Sequence, residues 1–271
     1  MSQSTEQARS AAHPRPSVLG PRHSPAETLF ISDLHLAPER PATIRLLLDF
    51  LQGRARRAAR LYILGDLFDA WIGDDDDTPP YLEIRAALRG LTGGGTACAL
   101  MHGNRDFLIG RAFCRDTGCT LLPDPTRITL DGEPVLLMHG DLLCTDDVAY
   151  QRFRRRVRNP LVKQLFLWKS LGRRRAMAAN YRRKSGAATA EKPAEIMDVN
   201  QETVVRYLCR FQANRLIHGH THRPAEHEFE VRGRPARRSV LAEWHERRGE
   251  VLVHTSGAWH REELLAGPDS P

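Results

Sequence analysis

Five short clusters of acidic, amide and imidazole side chains mark this 271-residue chain, and each follows an apolar run that predicts a β-strand. The five runs are 28–32, 61–64, 97–101, 135–138 and 215–217, and further strands are predicted at 127–130 and 251–254. Helical patterns occupy 41–59, 81–91, 107–117 and 199–209. Strands alternating with helices predict a layered α/β fold, in which sites gather at the carboxyl ends of the strands.

The clusters contain the residue types that bind divalent metal ions. In chain order they are Ser32-Asp33-Leu34-His35, Gly65-Asp66, Gly103-Asn104-Arg105-Asp106, His139-Gly140-Asp141 and His218-Gly219-His220-Thr221-His222. Each cluster alone is a common turn or cap, but five of them in this order after five strands are not expected by chance. Carboxylate, amide and imidazole donors without a thiolate suit Mn²⁺ and tolerate other divalent ions.

Other polar residues are interpreted as structural. The acidic run 74–77 is expected to be a solvated loop, and His102 and His222 are placed outside the set of metal ligands. The five cysteines form no CxxC pair and are odd in number, which favours reduced thiols in a cytosolic compartment. No apolar stretch approaches the ~18–20 residues that a membrane-spanning helix needs.

Basic charge is concentrated in one segment. The chain has 40 Lys and Arg against 33 Asp and Glu, and residues 148–190 contain 13 of the basic residues and no acidic one. Within this segment Asn159-Pro160 predicts a helix start and Gly172 a helix stop, around an apolar stretch. The segment alone fits a helix packed on the core with a solvated basic flank, an anionic lipid surface, or nucleic acid.

Taken together, the clusters resemble the calcineurin-like metallophosphoesterase superfamily. The segments TLFISDLHL, LYILGDLFDAWIGDDD, HGNRDFLIG, LLMHGDLLCTDD and LIHGHTHRPAEHE narrow the resemblance to the UDP-2,3-diacylglucosamine pyrophosphohydrolase family of lipid A biosynthesis, over residues 28–260. This resemblance implies an α/β metallophosphoesterase fold, a β-sandwich flanked by helices with a helical lid insertion. It also implies two Mn²⁺ ions and hydrolysis of UDP-2,3-diacylglucosamine to 2,3-diacylglucosamine 1-phosphate (lipid X) and UMP.

The resemblance also assigns roles to residues. Asp33, His35 and His220 would hold one metal ion, Asn104, His139 and His218 would hold the other, and Asp66 would bridge them. Catalytic roles are implied for Asp66, Asn104, Arg105 and His139. Substrate contacts are implied for Asn104, Arg105, Asp147, Ser185, Thr189, Lys192 and His218.

Arg105 stands where many members of the superfamily have a histidine that protonates a leaving alkoxide. An arginine does not give up its proton at any useful pH. A phosphomonoester needs no such acid as a leaving group, because its second pKa is about 6. A guanidinium is instead suited to binding phosphate oxygens, so Arg105 favours the cleavage of a pyrophosphate.

These observations define the expected organisation and partners. Residues 1–25 are expected to be a disordered tail, and residues 26–271 a catalytic domain that includes a basic helical lid at about 148–198. We expect a monomer that takes a glycolipid nucleotide as substrate and docks on the anionic cytoplasmic face of the inner membrane, without binding nucleic acid. The alternatives are a metallophosphoesterase of nucleotide diesters or phosphoproteins, and a binding protein whose metal site is vestigial.

Overall fold

The computed structural model describes residues 26–190 and 198–265, with side chains in the first range as far as Arg183. The tail predicted at 1–25 lies outside the described residues. The strands are β1 (Thr28–Ile31), β2 (Arg60–Ile63), β3 (Ala97–Met101), β4 (Thr120–Leu122), β5 (Thr126–Leu130), β6 (Glu133–Leu137), β7 (Arg215–His218), β8 (Ala225–Val231), β9 (Arg234–Val240), β10 (Arg248–Thr255) and β11 (Ala258–Leu265). The helices are α1 (Pro41–Gln52), α2 (Pro79–Gly93), α3 (Arg111–Thr117), α4 (Val148–Val157), α5 (Pro160–Leu167), α6 (Leu171–Ala190) and α7 (Gln201–Phe211), with a 3-10 helix at Arg54–Arg57.

The strands form two sheets. One has the order β11-β10-β1-β2-β3-β4, and the other has the order β5-β6-β7-β9-β8. The four strands β1 to β4 are parallel to one another, as are β6, β7 and β9. The polar clusters follow β1, β2, β3, β6 and β7, so each leaves a parallel strand at its carboxyl end. The α/β fold and the helix-flanked sandwich expected from the sequence are confirmed.

Alternate side chains of each central strand pack into different layers of the core. Phe30 of β1 packs between the two sheets, whereas its neighbours Leu29 and Ile31 face the helices α1 to α3. In the second sheet Leu137 faces the first sheet and Leu136 faces α7. Because successive side chains in a strand point to opposite faces, both faces of each central strand are buried. This explains why these strands are continuous apolar runs in the sequence.

The seven predicted strands are all present, with ends shifted by up to three residues, whereas β4, β8, β9 and β11 were not predicted. β8, β9 and β11 each contain three charged residues, and β4 has only three residues. None of these strands therefore carries the apolar run that identifies the central strands.

Three helix predictions were wrong at their ends. The helix predicted at 41–59 ends at Gln52, and a separate 3-10 helix follows at Arg54–Arg57. The helix predicted at 107–117 begins at Arg111, where Asp74 accepts hydrogen bonds from the backbone N–H groups of Gly110 and Phe113. Gly172 does not stop a helix, because α5 ends at Leu167 and Gly172 lies in the first turn of α6. The predicted start was right: the Asn159 side chain accepts a hydrogen bond from the Leu161 N–H group.

The segment comprising α4, α5 and α6, called the insertion below, is attached to the acidic run that the sequence suggested to be a solvated loop. Arg174 is buried and pairs with Asp75, while its Nη1 also donates to the Ile72 carbonyl at 2.6 Å. Arg175 pairs with buried Asp76 at 2.8 Å. The acidic run is therefore a docking site for the insertion. Among the described residues, no helix has the length and apolarity required to cross a bilayer.

Candidate metal centre

Side chains from all five clusters converge at one end of the sandwich. The first group contains Asp33 and His35, which follow β1, and His222, which follows β7. The Nε2 atoms of His35 and His222 are 3.1 Å apart, and His222 Nε2 is 3.4 Å from Asp33 Oδ1. A carboxylate and two imidazoles are a suitable donor set for a divalent ion.

His222 lies between two carboxylates. Glu243 Oε2 is 2.8 Å from His222 Nδ1 and orients the ring, and Asp33 Oδ1 is 3.4 Å from His222 Nε2. Hydrogen bonds to these two carboxylates outweigh burial and raise the pKa of His222 to about 10. The surroundings therefore favour positive charge at this position.

The second group contains Asn104, His139 and His220. The Asn104 Oδ1 atom lies 3.0 Å from both His139 Nε2 and His220 Nδ1. His139 Nδ1 donates to the Leu64 carbonyl at 2.9 Å, which fixes the ring with its Nε2 directed at the Asn104 oxygen. One amide oxygen and two imidazole nitrogens directed at each other are a suitable donor set for a divalent ion. A hydrogen bond from the other ring nitrogen is the usual support of a metal-ligating histidine.

Asp66 lies between the two groups. Its Oδ2 is 3.8 Å from His35 Nδ1 and 3.9 Å from His139 Nε2, and the carboxylate is almost completely buried. Burial raises the pKa of Asp66 to about 7, against the opposing effect of His139. The His35 Nδ1 atom is also buried and makes no hydrogen bond to any described residue. A bound cation would satisfy both groups, so the residues fit a divalent metal centre with Asp66 in the bridging position.

The structure places three histidines in surroundings that differ from those expected. The His218 Nδ1 donates to the Gly219 carbonyl at 2.8 Å, and its Nε2 is 3.2 Å from Arg238 Nη1. His222, which the sequence analysis set aside, takes a place beside Asp33 and His35. His220, which was expected beside Asp33 and His35, has its ring in the second group instead.

A signal in the sequence could have found this arrangement. His218 is the last residue of β7, whereas His220 and His222 lie in the loop that follows. The other candidate ligands also lie in loops after their strands. The predicted end of β7 at residue 217 was one residue too early, whereas the ligand role of His218 was implied by the family resemblance.

Backbone strain is concentrated at the centre. Asp33, His35, Asp66, His220 and His222 all have positive φ angles, between 48° and 69°. Such angles are uncommon for residues other than glycine, although Asp and His tolerate them better than most. Their concentration among the residues that converge indicates that function, rather than folding, selects this geometry.

Two buried carboxylates hold the loops of the centre in place. Asp106 accepts hydrogen bonds from the N–H groups of Gly103 at 2.7 Å and Leu67 at 2.8 Å, which ties two loops together. Asp141 accepts from the Tyr150 hydroxyl at 2.7 Å and from Arg154 Nε at 2.6 Å, and so attaches α4 to the loop after β6. These two carboxylates support the centre instead of joining the two groups described above.

A cavity of about 1080 Å³ opens from this centre and runs between the body and the insertion. At its polar end are Asp66, Asn104, Arg105, Asp147, His220 and His222. Its apolar walls include Trp71, Ile72, Phe107, Phe153, Val162, Phe166 and Met177.

Most of the substrate contacts implied by the resemblance fall near this cavity or outside the described side chains. Asn104, Arg105 and Asp147 line the cavity, but His218 is not among its lining residues. Ser185 and Thr189 belong to α6, whose side chains are described only as far as Arg183, and Lys192 lies outside the described residues.

The comparison with protein families agrees with this geometry. The family model for calcineurin-like phosphoesterases matches residues 27–224, which is more than half of the chain. The chain belongs to the calcineurin-like phosphoesterase family. Members of this family are metal-dependent hydrolases, and the buried donor groups described above fit that class.

Curated relatives narrow the family further. A protein of Pseudomonas paraeruginosa named UDP-2,3-diacylglucosamine hydrolase is 56% identical over 224 residues, which is 83% of this chain and 93% of the relative. A protein of the same name from Ectopseudomonas mendocina is 55% identical and covers 83% and 92% of the two chains. One from Salmonella arizonae is 51% identical over 241 residues, or 89% and 99%.

Gly219 provides a test of the close packing at the centre. A Cβ atom at this position would overlap Asp33 Oδ2 and Ser32 Oγ, whereas a Cβ atom at Gly93 would have no heavy atom within 4 Å. We expect Gly219→Ala to weaken Mn²⁺ binding by at least about tenfold in calorimetry, since the Asp33 carboxylate must shift. Gly93→Ala is the matched control. Equal Mn²⁺ affinity in both variants would contradict the packing described for Gly219.

Proposed function

We propose that this protein hydrolyses the pyrophosphate bond of UDP-2,3-diacylglucosamine to give 2,3-diacylglucosamine 1-phosphate and UMP, a step of lipid A biosynthesis. The observation that carries the proposal is the cavity, which joins a cluster of metal-binding groups to apolar walls. A phosphate ester with acyl chains matches both ends of such a cavity. The names of the relatives support the same substrate.

In this proposal the centre holds two Mn²⁺ ions. Asp33, His35 and His222 would hold one ion, Asn104, His139 and His220 would hold the other, and Asp66, which lies between the two groups, would serve both. When bound, the ions neutralise phosphate charge and lower the pKa of the attacking water. The loop carbonyl of Leu64 fixes the His139 ring, and Glu243 fixes His222.

Arg105 is placed to bind the phosphate oxygens. Its backbone N–H donates to Asp66 Oδ1 at 2.9 Å, and its guanidinium lines the cavity. The leaving group in pyrophosphate hydrolysis is a phosphomonoester with a second pKa of about 6, so no protonating residue is needed. Arg105 therefore acts as a positive charge that compensates for charge developing on phosphate oxygens.

The decisive assay follows UMP release from UDP-2,3-diacylglucosamine by the purified full-length chain. We expect release with Mn²⁺, loss of release with chelator, and recovery when Mn²⁺ is restored. Asp66→Ala should lower the rate by at least ~10³-fold, because it removes a charged group that contacts both ions. Asp77→Ala, at an exposed acidic position, is the matched control. Hydrolysis of soluble nucleotide diesters or phosphopeptides without UMP release would instead favour another phosphoesterase activity.

The assignment of the histidines has its own test. We expect His222→Ala to reduce the number of Mn²⁺ ions bound per chain from two to one, as counted by metal analysis after gel filtration. His218→Gln should retain both ions, because the His218 ring nitrogens contact Gly219 and Arg238 instead of the centre. Loss of an ion in the His218 variant, with both ions retained in the His222 variant, would reverse the assignment.

We further propose that the protein docks on the anionic cytoplasmic face of the inner membrane through α5. Leu161, Leu165 and Trp168 are 75%, 56% and 74% exposed. Exposed Arg156 precedes α5 in the chain and partly exposed Lys169 follows it. Apolar side chains flanked by cations suit an anionic lipid surface, where each cation contributes about 1 kcal/mol.

Vesicle binding tests this docking surface. We expect Trp168→Glu to weaken binding to phosphatidylglycerol vesicles by at least about tenfold, because burying one large apolar side chain contributes about 1.5–3 kcal/mol. Leu82→Glu, on α2 and 47% exposed, should leave vesicle binding unchanged. Equal binding by both variants and the parent chain would exclude α5 as the docking surface.

A further inference from the structure

Asp69 bonds two arginines from different parts of the molecule with one carboxylate oxygen. Arg105 Nη1 donates to Asp69 Oδ1 at 2.6 Å, and Arg182 also pairs with Asp69 Oδ1. Arg182 Nη1 in addition donates to the Asp69 backbone carbonyl at 2.6 Å. Asp69 follows Asp66 by three residues, and Arg182 belongs to α6 of the insertion.

The contact between Asp69 and the two arginines lies at the wall of the cavity, where it can affect ligand binding. Asp69, Arg105 and Arg182 all line the cavity, and their side chains are 23%, 30% and 34% exposed. The two guanidiniums would repel each other in this partly buried place without the carboxylate between them. Asp69 therefore brings together, at the wall of the cavity, two guanidiniums that come from separate segments of the chain.

The contact also fixes the orientation of Arg105. One terminal nitrogen is bound to Asp69, and its Nε lies 3.7 Å from Asp66 Oδ2. Two sides of the guanidinium are thus directed at carboxylates, and Nη2 makes no hydrogen bond to another described residue. A planar guanidinium held on two sides loses little freedom when its remaining edge binds a phosphate oxygen.

We propose that Asp69 is a positioning residue for pyrophosphate hydrolysis, which acts by holding Arg105 in its binding orientation and by linking it to Arg182 of the insertion. This inference rests on the proposed function for the nature of the substrate. In this proposal the orientation of Arg105 depends on the packing of α6 against the body, because Arg182 of α6 shares the Asp69 carboxylate. The insertion thus contributes to the chemistry at the polar end of the cavity as well as to its apolar walls.

A double-mutant cycle tests the link. Asp69→Ala and Arg182→Ala are made singly and together, and kcat and KM are measured with UDP-2,3-diacylglucosamine and Mn²⁺. We expect the double variant to lose about fivefold less kcat/KM than the product of the single losses, because interacting residues are not additive. Arg183→Ala is the matched control, since Arg183 is exposed and contacts Asn180. Its losses should multiply with those of Asp69→Ala. Multiplicative losses in both cycles would overturn the proposal.

The separate effects of Asp69→Ala on kcat and on KM distinguish a positioning role from a purely structural role. We expect Asp69→Ala to lower kcat by about tenfold to a hundredfold, as a small misplacement of a binding group does. KM should change by less than about threefold, and Asp69→Asn, which keeps an acceptor oxygen, should recover part of kcat. A loss confined to KM would indicate that Asp69 only stabilises the insertion, and would overturn the positioning role.

Hydrogen exchange supplies a readout that needs no turnover. We expect Asp69→Ala to speed amide exchange in residues 171–183 of the Mn²⁺-loaded protein, while exchange in β1 and β2 stays as in the parent chain. Unchanged exchange in α6 would overturn the link. If the parent chain releases no UMP, the proposed function fails, and the cycle is then measured with bis(4-nitrophenyl) phosphate. Amide exchange and the double-mutant cycle therefore test the role of Asp69 separately from the identity of the substrate.

Discussion

The structure depends on placing two buried carboxylates close together at the end of a sandwich. Oxygen atoms of Asp33 and Asp66 lie within 4.8 Å of each other and of a His139 nitrogen. Two unit charges at that distance repel by roughly 3 kcal/mol at an effective dielectric constant of about 20. The fold meets this repulsion with imidazoles and, by family membership, with divalent ions. The donors of such a site attract a cation, and binding one stabilises the folded chain.

The loops that carry these charges are held by a second set of polar groups. Asp106 and Asp141 resemble metal ligands in the sequence, yet one joins two loops through backbone N–H groups and the other binds arginines and a tyrosine of α4. Asp66 has a strained backbone angle, and Asp106 ties the loop that carries it to the loop after β3. A carboxylate beside a metal cluster can therefore be essential without touching the metal.

The features that could be predicted from the sequence are those that depend on the periodicity of apolar residues and on the order of motifs along the chain. Buried strands are apolar runs, so β1, β2 and β3 were found, whereas the charged strands β8 and β11 were not. The role of His218 was implied by the family resemblance, and no local pattern indicated that His222 lies beside Asp33 and His35. The role of Asp75 depended on a partner 99 residues away in the chain, Arg174. Local patterns hold no information about such a partner, so the acidic run was interpreted as solvated.

The insertion shows why the number of basic residues in a segment does not give the charge of its surface. Six of the 13 basic residues in 148–190 bond to the body or to other parts of the loops: Arg154, Arg158, Lys163, Arg174, Arg175 and Arg182. A cation that is paired with a carboxylate adds little to the field that a lipid surface experiences. The exposed apolar side chains of α5 must then supply much of any membrane affinity. Arg174, Arg175 and Arg182 have a different effect, because they attach the insertion to the body. The cavity lies between the insertion and the body.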